Sequence, residues 1–438
     1  MKVLKFGGTS LGSPDRLKSI VDIVLQEERV LVVLSAVSGT TNSLVEIATA
    51  LHNDDKDRAI DSIKKLHNHY VKYVENLYET KAKKEEAHKL IDSHMEFIMS
   101  FTKDLFTSHE EKAILAQGEL MSTALFQFYL EERGQNSELI SALDFMRIDK
   151  DLEPDLFYIQ HNLERELTPL KEKQVIITQG YICRNAFGEI DNLKRGGSDY
   201  TATLVGAAIE ADVIEIWTDI DGMHNNDPRV VDKTYSIERL SYNEAAELAY
   251  FGAKILHPAS VYPAQQKKIP IKLKNTLDPQ KEGTTIDGDN REFKFTAVAA
   301  KDDITVINIK SGRMLLAYGF LRKVFEIFER YQTPIDVITT SEVAVSVTID
   351  DRTHINEIYE ELRLLGEVRI EKELSIVCVV GNFPRNERGD GQVLLEAMKN
   401  IPIRMMSYGG SEHNITFIIE SKYKTEALKD LNKGLFDL

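Results

Sequence analysis

The sequence predicts an α/β protein: a large domain on an open, mostly parallel sheet, and a tail of two small ferredoxin-like β-α-β-β-α-β domains. Strand and helix patterns alternate through about the first 285 residues, as is typical of a sheet covered by helices. The apolar run 30–34 has the character of a strand buried on both faces. The tail repeats with a period of 70 residues, which indicates a duplicated unit.

The composition narrows the class of protein. Among 438 residues there are 54 Lys and Arg against 70 Asp and Glu, a net charge of −16, and 42% are hydrophobic. A chain of this length is expected to form two or three domains. The acidic balance argues against a nucleic-acid partner, because phosphate backbones are bound by basic faces. It still allows a small anionic ligand in a locally positive pocket.

The sequence also predicts a cytoplasmic location without a membrane partner. Cys183 and Cys378 stand far apart among apolar residues, which favours buried thiols in a reducing compartment over a disulfide framework. The segment 1–5 lacks the apolar core of a signal peptide. The longest apolar runs have the length of a strand rather than of a membrane-spanning helix.

The large domain begins with a strand at 3–6 and the turn 7–10. Ser13 and Pro14 predict the N-cap and first residue of a helix, and a strand at 30–35 follows. In an open sheet of this order, ligands bind at the carboxyl ends of the strands. The later predicted elements are a helix at 42–51, strands at 175–178, 213–217 and 269–273, and helices at 200–210 and 241–251.

Residues 55–133 are predicted to be mostly helical, because apolar residues recur there at helical spacing. Six histidines fall in or next to this segment, so a metal site has to be considered. His67 and His69 are two residues apart and therefore face different sides of a helix. No histidine pair has the i, i+4 spacing with a nearby acid that is typical of zinc, and we expect no protein-ligated metal.

The tail contains the repeat that defines the two small domains. Strands at 304–307 and 374–377 are 70 residues apart, and so are the Ser-Glu pairs at 341 and 411. Two independent anchors agree on one period, which favours a duplication. The elements predicted between them are a helix at 321–331, strands at 335–339 and 343–349, a helix at 355–365 and a strand at 367–371. The predicted domains are 1–285, 300–372 and 373–438.

The familiar nucleotide-binding motifs are missing from the sequence. It has no G-x-G-x-x-G after a strand, no P-loop and no protein-kinase motif set. The segment 5–10, Lys-Phe-Gly-Gly-Thr-Ser, nevertheless suits phosphate, because glycines let backbone N–H groups approach an anion beside the lysine. The same glycines would also form an ordinary tight turn, and the sequence leaves both interpretations open.

Three further segments carry polar groups at predicted element ends. The segment 194–200 places an arginine, two glycines, a serine and an aspartate before a helix whose N-terminus favours anions; a plain surface turn is the alternative. The segment 251–258 offers Lys254 beside a glycine, although His257 before Pro258 can also simply end a helix. The segment 217–229 joins a strand end to a polar loop that could hold a nucleoside.

Glu119 stands among apolar residues of a predicted helix, in the run 118–122. A buried glutamate needs a partner. An internal arginine and the ammonium group of a ligand are both suitable, and the sequence leaves the two alternatives open.

Together these segments resemble the amino-acid kinase superfamily and, within it, the monofunctional aspartate kinases. The resemblance covers essentially the whole chain, and five motifs occur in family order: KFGGTS, GELMS, RGGSDYTA, WTDxxG with DPR, and FGAKILHP. The tail resembles the family's two ACT domains, with segments 338–342 and 411–414 at the expected places. The resemblance implies a carbamate-kinase-like αβα sandwich followed by these domains.

The resemblance implies that ATP, with Mg²⁺, phosphorylates the side chain of L-aspartate to give 4-phospho-L-aspartate, the first step of the pathway to lysine, threonine and methionine. The attacking carboxylate is already ionised at neutral pH, so catalysis is expected to come from positioning and positive charge. Asp199 would hold the lysines in place or bind Mg²⁺ through water. The implied residues are, for catalysis, Lys5, Gly7, Gly8, Asp199 and Lys254; for aspartate, Ser35, Thr41, Glu119, Arg195 and Ser198; and for the nucleotide, Lys5, Thr218, Asp219, His224, Arg229, Lys254 and Ile255.

The resemblance also implies feedback inhibition by lysine, with threonine as the alternative, at an ACT–ACT interface of a homodimer. The sequence departs from the family pattern at Lys194, where glycine is usual, at His224, where tyrosine is common, and at Ala317, where lysine-sensitive members tend to have serine. The implied effector residues are Met314, Gly319, Phe320, Leu321, Ile335, Asp336, Thr340, Ser341 and Glu342.

Two other functions compete with this interpretation. An amino-acid sensor without catalysis would have no reason to keep Lys5, Arg195 and Asp199. A sister kinase acting on glutamate, acetylglutamate or a nucleotide is disfavoured by the ACT pair and by the GELMS motif.

Overall fold

The structure, a computed structural model, describes residues 1–103, 105–193, 196–252, 256–288, 294–312, 318–384 and 389–438. The chain divides into two compact units. The first contains the described residues of 1–223, 238–242 and 255–289, and the second contains those of 224–237, 243–254 and 290–438. Two short segments of the predicted large domain, 224–237 and 243–254, therefore group with the tail.

The first unit is built on an eight-stranded sheet with the order β3-β4-β2-β1-β7-β9-β10-β8. Neighbouring strands run parallel except β9 and β10, and β5 and β6 form a separate antiparallel pair. The predicted open, mostly parallel sheet is confirmed. Its strands are β1 (Lys2–Phe6), β2 (Val30–Leu34), β3 (Ser137–Leu139), β4 (Val175–Gln179), β5 (Ile182–Arg184), β6 (Ile190–Asn192), β7 (Ile214–Thr218), β8 (Arg239–Ser241), β9 (Ile271–Asn275) and β10 (Thr284–Asp287).

The centre of this sheet is fully apolar, and its register aligns the strand ends. Every residue of β2 is buried, as the run of valines and leucines predicts. Phe6 is level with Leu34 and Trp217, and Leu34 is level with Gln179. The carboxyl ends of β1, β2, β4 and β7 therefore coincide, and the residues that follow these strands lie along one edge of the sheet.

Helices surround the sheet strands along the chain. Three of them, α3 to α5, form the segment that the sequence predicts to be mostly helical, and that prediction is confirmed. Ser13 caps α1 by accepting the backbone N–H of Arg16 at 3.4 Å, and Thr107 and Glu110 form a capping box at the start of α5. No helix in the described part of the chain combines the length and apolar character needed to cross a membrane. The helices are α1 (Pro14–Val24), α2 (Thr40–His52), α3 (Lys56–Leu77), α4 (Lys81–Ser100), α5 (Ser108–Glu132), α6 (Leu156–Leu167), α7 (Gly197–Ala208), α8 (Tyr242–Phe251) and α9 (Pro258–Lys267); all of α8 after Tyr242 belongs to the second unit.

The second unit is built on a six-stranded antiparallel sheet with the order β12-β13-β11-β14-β16-β15. Two separate apolar cores lie in it, one for each small domain. Its elements are β11 (Phe295–Lys310), α10 (Phe320–Arg330), β12 (Ile338–Thr340), β13 (Ala344–Ile349), α11 (Ile355–Leu362), β14 (Glu367–Gly381), α12 (Asp390–Ala397), β15 (Ile403–Ser407), β16 (Asn414–Glu420) and α13 (Lys424–Phe436).

The long strands β11 and β14 are shared by both small domains. Each bends at a residue with a left-handed backbone, Asp303 with φ 61° and Glu373 with φ 60°. On one side of the bend, 306–310 pairs with 367–371, which completes the β-α-β-β-α-β order predicted for the first small domain. On the other side, 295–301 pairs with 376–381. The second small domain thus takes its fourth strand from the chain ahead of the first, which is inserted into it.

One strand of the tail is shorter than the sequence predicts. The strand predicted at 335–339 is observed only as β12. The N–H of Asp336 donates to the backbone oxygen of Thr348 and the N–H of Val337 donates to its hydroxyl oxygen, both outside the regular ladder.

Cys183 and Cys378 are buried free thiols, as predicted. Burial raises the pKa of Cys183 to about 12, so this thiol stays protonated at neutral pH.

Candidate active site

Lys5 lies at the carboxyl end of β1 and faces an aspartate from the start of α7. Its Nζ is 2.6 Å from Asp199 Oδ1, and the two side chains are 12% and 16% exposed. The oxygen is not aligned as a hydrogen-bond acceptor, so the contact is an ion pair. A pair this shielded from solvent is screened little by salt. The structure therefore brings together the two charged residues that the first and second glycine-containing segments predict.

The glycines beside this pair have different reasons to be glycine. A Cβ on Gly8 would lie 2.9 Å from Ala36 O, so the chain following β2 approaches too closely for a side chain. Gly7 is more open, and its N–H faces Trp217 O at a long 3.5 Å. Gly8 thus has a packing role, whereas the amide of Gly7 is only weakly engaged.

The N-terminus of α7 is built by two glycines with left-handed backbones. Gly196 has φ 67° and Gly197 has φ 45°, and a Cβ on Gly196 would lie 2.3 Å from Ser260 Oγ. Glycine is therefore required at Gly196 by conformation and by space. Ser198 and Asp199 follow in the first turn of α7, where the helix dipole favours negative charge.

Two predicted substrate residues meet in the first unit. Ser35, directly after β2, and Ser198 have their Oγ atoms 2.9 Å apart. Gly180, directly after β4, lies so close to Ser198 that a Cβ there would be 2.4 Å from its side chain. Thr41 is exposed in the first turn of α2, and no contact joins it to these residues among those the structure describes.

Glu119 on α5 is 3% exposed, and its two oxygens are in different situations. Oε1 accepts the backbone N–H of Ala36 at 3.2 Å. Oε2 is buried without a hydrogen-bond partner among the described residues. Burial raises the pKa of Glu119 to about 8. Such a carboxyl group is suited to an incoming cation, since an ammonium would give the second oxygen a donor.

The residues predicted to bind the nucleotide fall into both units. Thr218 ends β7 in the first unit, and its Oγ1 lies 3.2 Å from Asp219 Oδ1. His224 and Arg229 belong to the second unit. His224 Nδ1 lies 3.0 Å from Thr234 Oγ1. Arg229 is 80% exposed and binds both oxygens of Asp227, at 2.9 and 2.8 Å.

The predicted effector residues lie in the first small domain. Gly319, with φ 79°, precedes α10, whose first residue Phe320 is buried, and Leu321 is 37% exposed. Ser341 N–H donates to Ala344 O after β12. Asp336 is buried and engaged with Lys301 and Tyr250. Ile335, Thr340 and Glu342 flank these residues on the same segment as β12.

Four predicted site residues lie outside the described residues: Arg195, Lys254, Ile255 and Met314. The same holds for the departures Lys194 and Ala317.

Tyr181 is a candidate site residue that the sequence did not single out. It has φ 67°, in the left-handed region that is unusual for a tyrosine, and its ring carbon would be 3.6 Å from a Cβ on Gly197. Its N–H donates to Thr201 Oγ1 at 2.9 Å. Burial, aided by the carboxyl group of Glu119, raises its pKa to about 12. The available signal was its position directly after a strand and a glycine.

Comparison with known proteins gives concordant matches over the whole chain. Residues 1–275 match the amino acid kinase family, and residues 377–435 match the ACT domain. The lysine-sensitive aspartokinase 3 of Escherichia coli is 34% identical over 99% of both chains. The chloroplastic aspartokinase 2 of Arabidopsis thaliana is 30% identical over 99% of this chain and 84% of its own.

Solved structures of the Escherichia coli aspartokinase III are also similar. The complex with aspartate and ADP, described as the R-state, has a TM-score of 0.89 at 33% identity and full coverage of both chains. The complex with lysine and aspartate, described as the T-state, has a TM-score of 0.82 at 33% identity, with 100% of this chain and 99% of that chain covered.

Proposed function

The chain belongs to the amino acid kinase family and, within it, to the aspartokinases, and from this premise we propose how its own residues phosphorylate L-aspartate. The single observation that carries the proposal is the shielded Lys5–Asp199 ion pair at the sheet edge. Two anions meet in this reaction, and a fixed cation lowers the cost of bringing them together. Lys5 therefore neutralises the transferring phosphoryl group, with the Gly7 amide as a further donor and Gly8 allowing the close turn.

Asp199 keeps the Lys5 ammonium in place between turnovers. Its carboxylate would also hold, through a bridging water, the Mg²⁺ ion that binds together with ATP. The ion would supply further positive charge at the phosphates. Lys254 acts on the same phosphates in this proposal. Mg²⁺ is supported by the chemistry of ATP, whose phosphates take a divalent cation as their counterion.

Aspartate is held by groups of both signs. The free Oε2 of Glu119 takes the substrate ammonium, and Arg195 takes the α-carboxylate in a bidentate manner. Ser35, Thr41 and Ser198 supply hydroxyls. The nucleotide contacts Thr218, Asp219, His224, Arg229, Lys254 and Ile255.

We propose that this chain is feedback-regulated and self-associates. Lysine, or alternatively threonine, binds the first small domain and inhibits a homodimer formed through the ACT domains. The product enters the pathway to lysine, threonine and methionine. The domain limits 1–285, 300–372 and 373–438, the cytoplasmic location and the lack of nucleic-acid and membrane partners stay predictions.

The proposal is tested by measuring ADP release with L-aspartate and trapping the acyl phosphate with hydroxylamine. We expect aspartate-dependent ADP and an equal amount of hydroxamate. Turnover with glutamate or acetylglutamate in place of aspartate would identify a sister kinase. Binding of lysine without any turnover would identify a sensor.

A further inference from the structure

Helix α3 carries two buried tyrosines on one face. Tyr70 and Tyr73 are both buried, and their ring centres are 6.3 Å apart, because residues three positions apart lie on the same side of a helix. Burial raises the pKa of both phenols, so both stay protonated at neutral pH. A buried hydroxyl of this kind needs a hydrogen-bond partner, and the two find theirs in different loops.

Tyr73 holds the end of the loop that follows β1. Its hydroxyl donates to Leu11 O at 2.8 Å. Leu11 is buried and ends the short helical turn Gly8–Leu11. Its carbonyl cannot accept a bond from the residue three positions on, because that residue, Pro14, has no N–H. The phenol therefore satisfies a buried carbonyl at the end of the glycine segment that begins at Lys5.

Tyr70 holds the end of the loop that follows β2. Its hydroxyl oxygen and Thr40 Oγ1 are 2.8 Å apart in a buried position. Thr40 begins α2 directly after Gly39, whose φ is 84°. The next residue, Thr41, is exposed and is one of the residues proposed to bind aspartate. The phenol therefore fixes the turn of helix on which Thr41 stands.

The other contacts of these loops lie nearer to the sheet. The N–H of Ser38 donates to Gly8 O at 3.1 Å and so joins the two loops. The start of the loop after β2 is held by α5, since Ser122 Oγ donates to Ser35 O at 2.7 Å. Helix α3 thus supplies a separate anchor for the far end of each loop.

We propose that the hydroxyls of Tyr70 and Tyr73 are positioning groups, of which the first sets the start of α2 for aspartate and the second sets the glycine turn for phosphoryl transfer. Both are buried, so they act through Thr40 and Leu11 rather than on a substrate. This inference rests on the proposed function for the roles of Thr41 and of the glycine turn. It gives α3, which carries none of the proposed site residues, a part in the reaction.

The physical cause is the polar group that a missing phenol would leave behind. In Tyr70→Phe the buried Thr40 hydroxyl loses its partner, and such a group is stabilised by reaching water. Because Thr41 beside it is exposed, a shift of the first turn of α2 brings that hydroxyl to water. In Tyr73→Phe the carbonyl of Leu11 has the same need, and the glycine turn has to move to meet it.

The first test is Tyr70→Phe, which removes the hydroxyl and keeps the ring. The KM for aspartate is expected to rise about two- to ten-fold, with the KM for ATP unchanged. The matched control is Tyr78→Phe, because the buried Tyr78 directly after α3 donates to Leu125 O at 2.7 Å and contacts neither loop through this bond. An unchanged KM for aspartate in Tyr70→Phe, or an equal rise in the control, overturns the role of Tyr70.

The second test is Tyr73→Phe, which is expected to show the opposite pattern. Its kcat should fall about two- to ten-fold, because the glycine turn beside Lys5 is displaced, while the KM for aspartate stays unchanged. The same change in both parameters for Tyr70→Phe and Tyr73→Phe would show a general loss of structure and would overturn the separate roles.

A rescue experiment tests the physical cause. In the double variant Tyr70→Phe with Thr40→Val, both partners are apolar and no hydroxyl is left unpaired at this position. The KM for aspartate is therefore expected to return to within about two-fold of the wild-type value. A KM that stays as high as in Tyr70→Phe alone overturns the explanation through the Thr40 hydroxyl.

Hydrogen exchange separates this inference from the proposed function. Amide exchange in peptides covering 36–44 is expected to be faster in Tyr70→Phe than in the wild type or Tyr78→Phe, and exchange in peptides covering 7–13 to be faster in Tyr73→Phe. Unchanged exchange overturns the inference whatever the substrate is. Absence of aspartate-dependent turnover in the wild type overturns the proposed function, and the exchange result still decides whether α3 holds the two loops.

Discussion

The two groups of proposed site residues differ in what holds them in place. Lys5, Ser35 and Ser198 stand at the ends of a buried parallel sheet or at the helix beside it, and they contact partners inside the first unit. His224 and Arg229 belong to the second unit. The first group is fixed by the large domain alone, whereas the second depends on the tail.

The anchor of the second group is an asparagine network on α13. Asn225 and Asn226 donate their side-chain amides to Asn432 Oδ1 at 3.2 and 3.3 Å, and Asn432 Nδ2 donates to Lys233 O at 3.0 Å. Val231 lies in the core of the second small domain. Substitutions in the tail should therefore change the KM for ATP more than the KM for aspartate.

The largest effect on stability is expected from Glu119→Gln. Glu119 is the buried carboxyl group that stands, like the first group, in the first unit. Glu119 keeps its proton in the folded state up to about pH 8, whereas the unfolded chain loses it near pH 4.3. Wild-type stability therefore falls as pH rises between these values, by at most about 5 kcal/mol, and glutamine avoids this loss. We expect the gain in unfolding free energy to be small at pH 4 and largest above pH 8, in urea titrations.

The control for this comparison is Glu96→Gln, at an exposed position of α4, which should change little at any pH. A gain for Glu119→Gln that does not depend on pH would contradict the buried protonated carboxyl. Because glutamine cannot ionise, it cannot become the charged partner that a bound substrate ammonium favours, so the KM for aspartate should also rise.

The next largest effect is expected for Lys5→Ala. Removing the cation beside the phosphoryl group should lower kcat about a thousand-fold while the protein still folds. The melting temperature should fall as well, because the shielded Asp199 carboxylate loses its partner. Lys2→Ala is the matched control on the same strand, since Lys2 pairs with Glu27. Turnover of Lys5→Ala within a few-fold of the wild type would remove Lys5 from the proposed mechanism.

The second group is tested by Asn432→Ala. Loss of the buried network should lower the unfolding free energy by about 2 kcal/mol and raise the KM for ATP, leaving the KM for aspartate unchanged. Asn308→Ala removes a comparable bond to Ser346 at 2.7 Å in the other small domain. An equal rise in the two KM values would contradict a separate anchor for the nucleotide side.

The smallest effect is expected for Arg229→Ala. Arg229 is exposed and already bound to Asp227, so its loss should change stability by less than about 0.5 kcal/mol. The KM for ATP should rise about three-fold through one weakened charge contact. Arg165→Ala, at another exposed ion pair, is the control. A change in the KM for aspartate of the same size would place Arg229 on the substrate side.

Much of the fold follows from local pattern, because helix and strand periodicity is written in neighbouring residues. Ser13 and Pro14 predict the start of α1, and the apolar run 30–34 predicts a central strand; both are confirmed. The insertion of one small domain into the other was not predictable in this way. The strand 295–301 has no counterpart in the repeat, and its pairing with 376–381 joins residues far apart in the chain.

The candidate site also combines features that follow from local sequence pattern with features that only the folded chain shows. The sequence brought Lys5 and Asp199 into one prediction, and their ion pair is now seen. It left open whether an internal arginine or a ligand ammonium partners Glu119, and no arginine contacts Glu119 among the described residues. Tyr181 was missed because its left-handed backbone and its packing against Gly197 are features of the folded chain and leave no local sequence pattern.

The sequence by itself determined the elements, the duplicated tail and the residue types for phosphoryl transfer, because these depend on short-range periodicity and on motif chemistry. Only the tertiary structure decided which unit supports each residue: segment 224–237 packs with α13, and α8 is bound by Asp336. Hydrogen bonds between residues more than 80 positions apart leave no local pattern. They arise only when the folded chain buries polar groups that must then find partners.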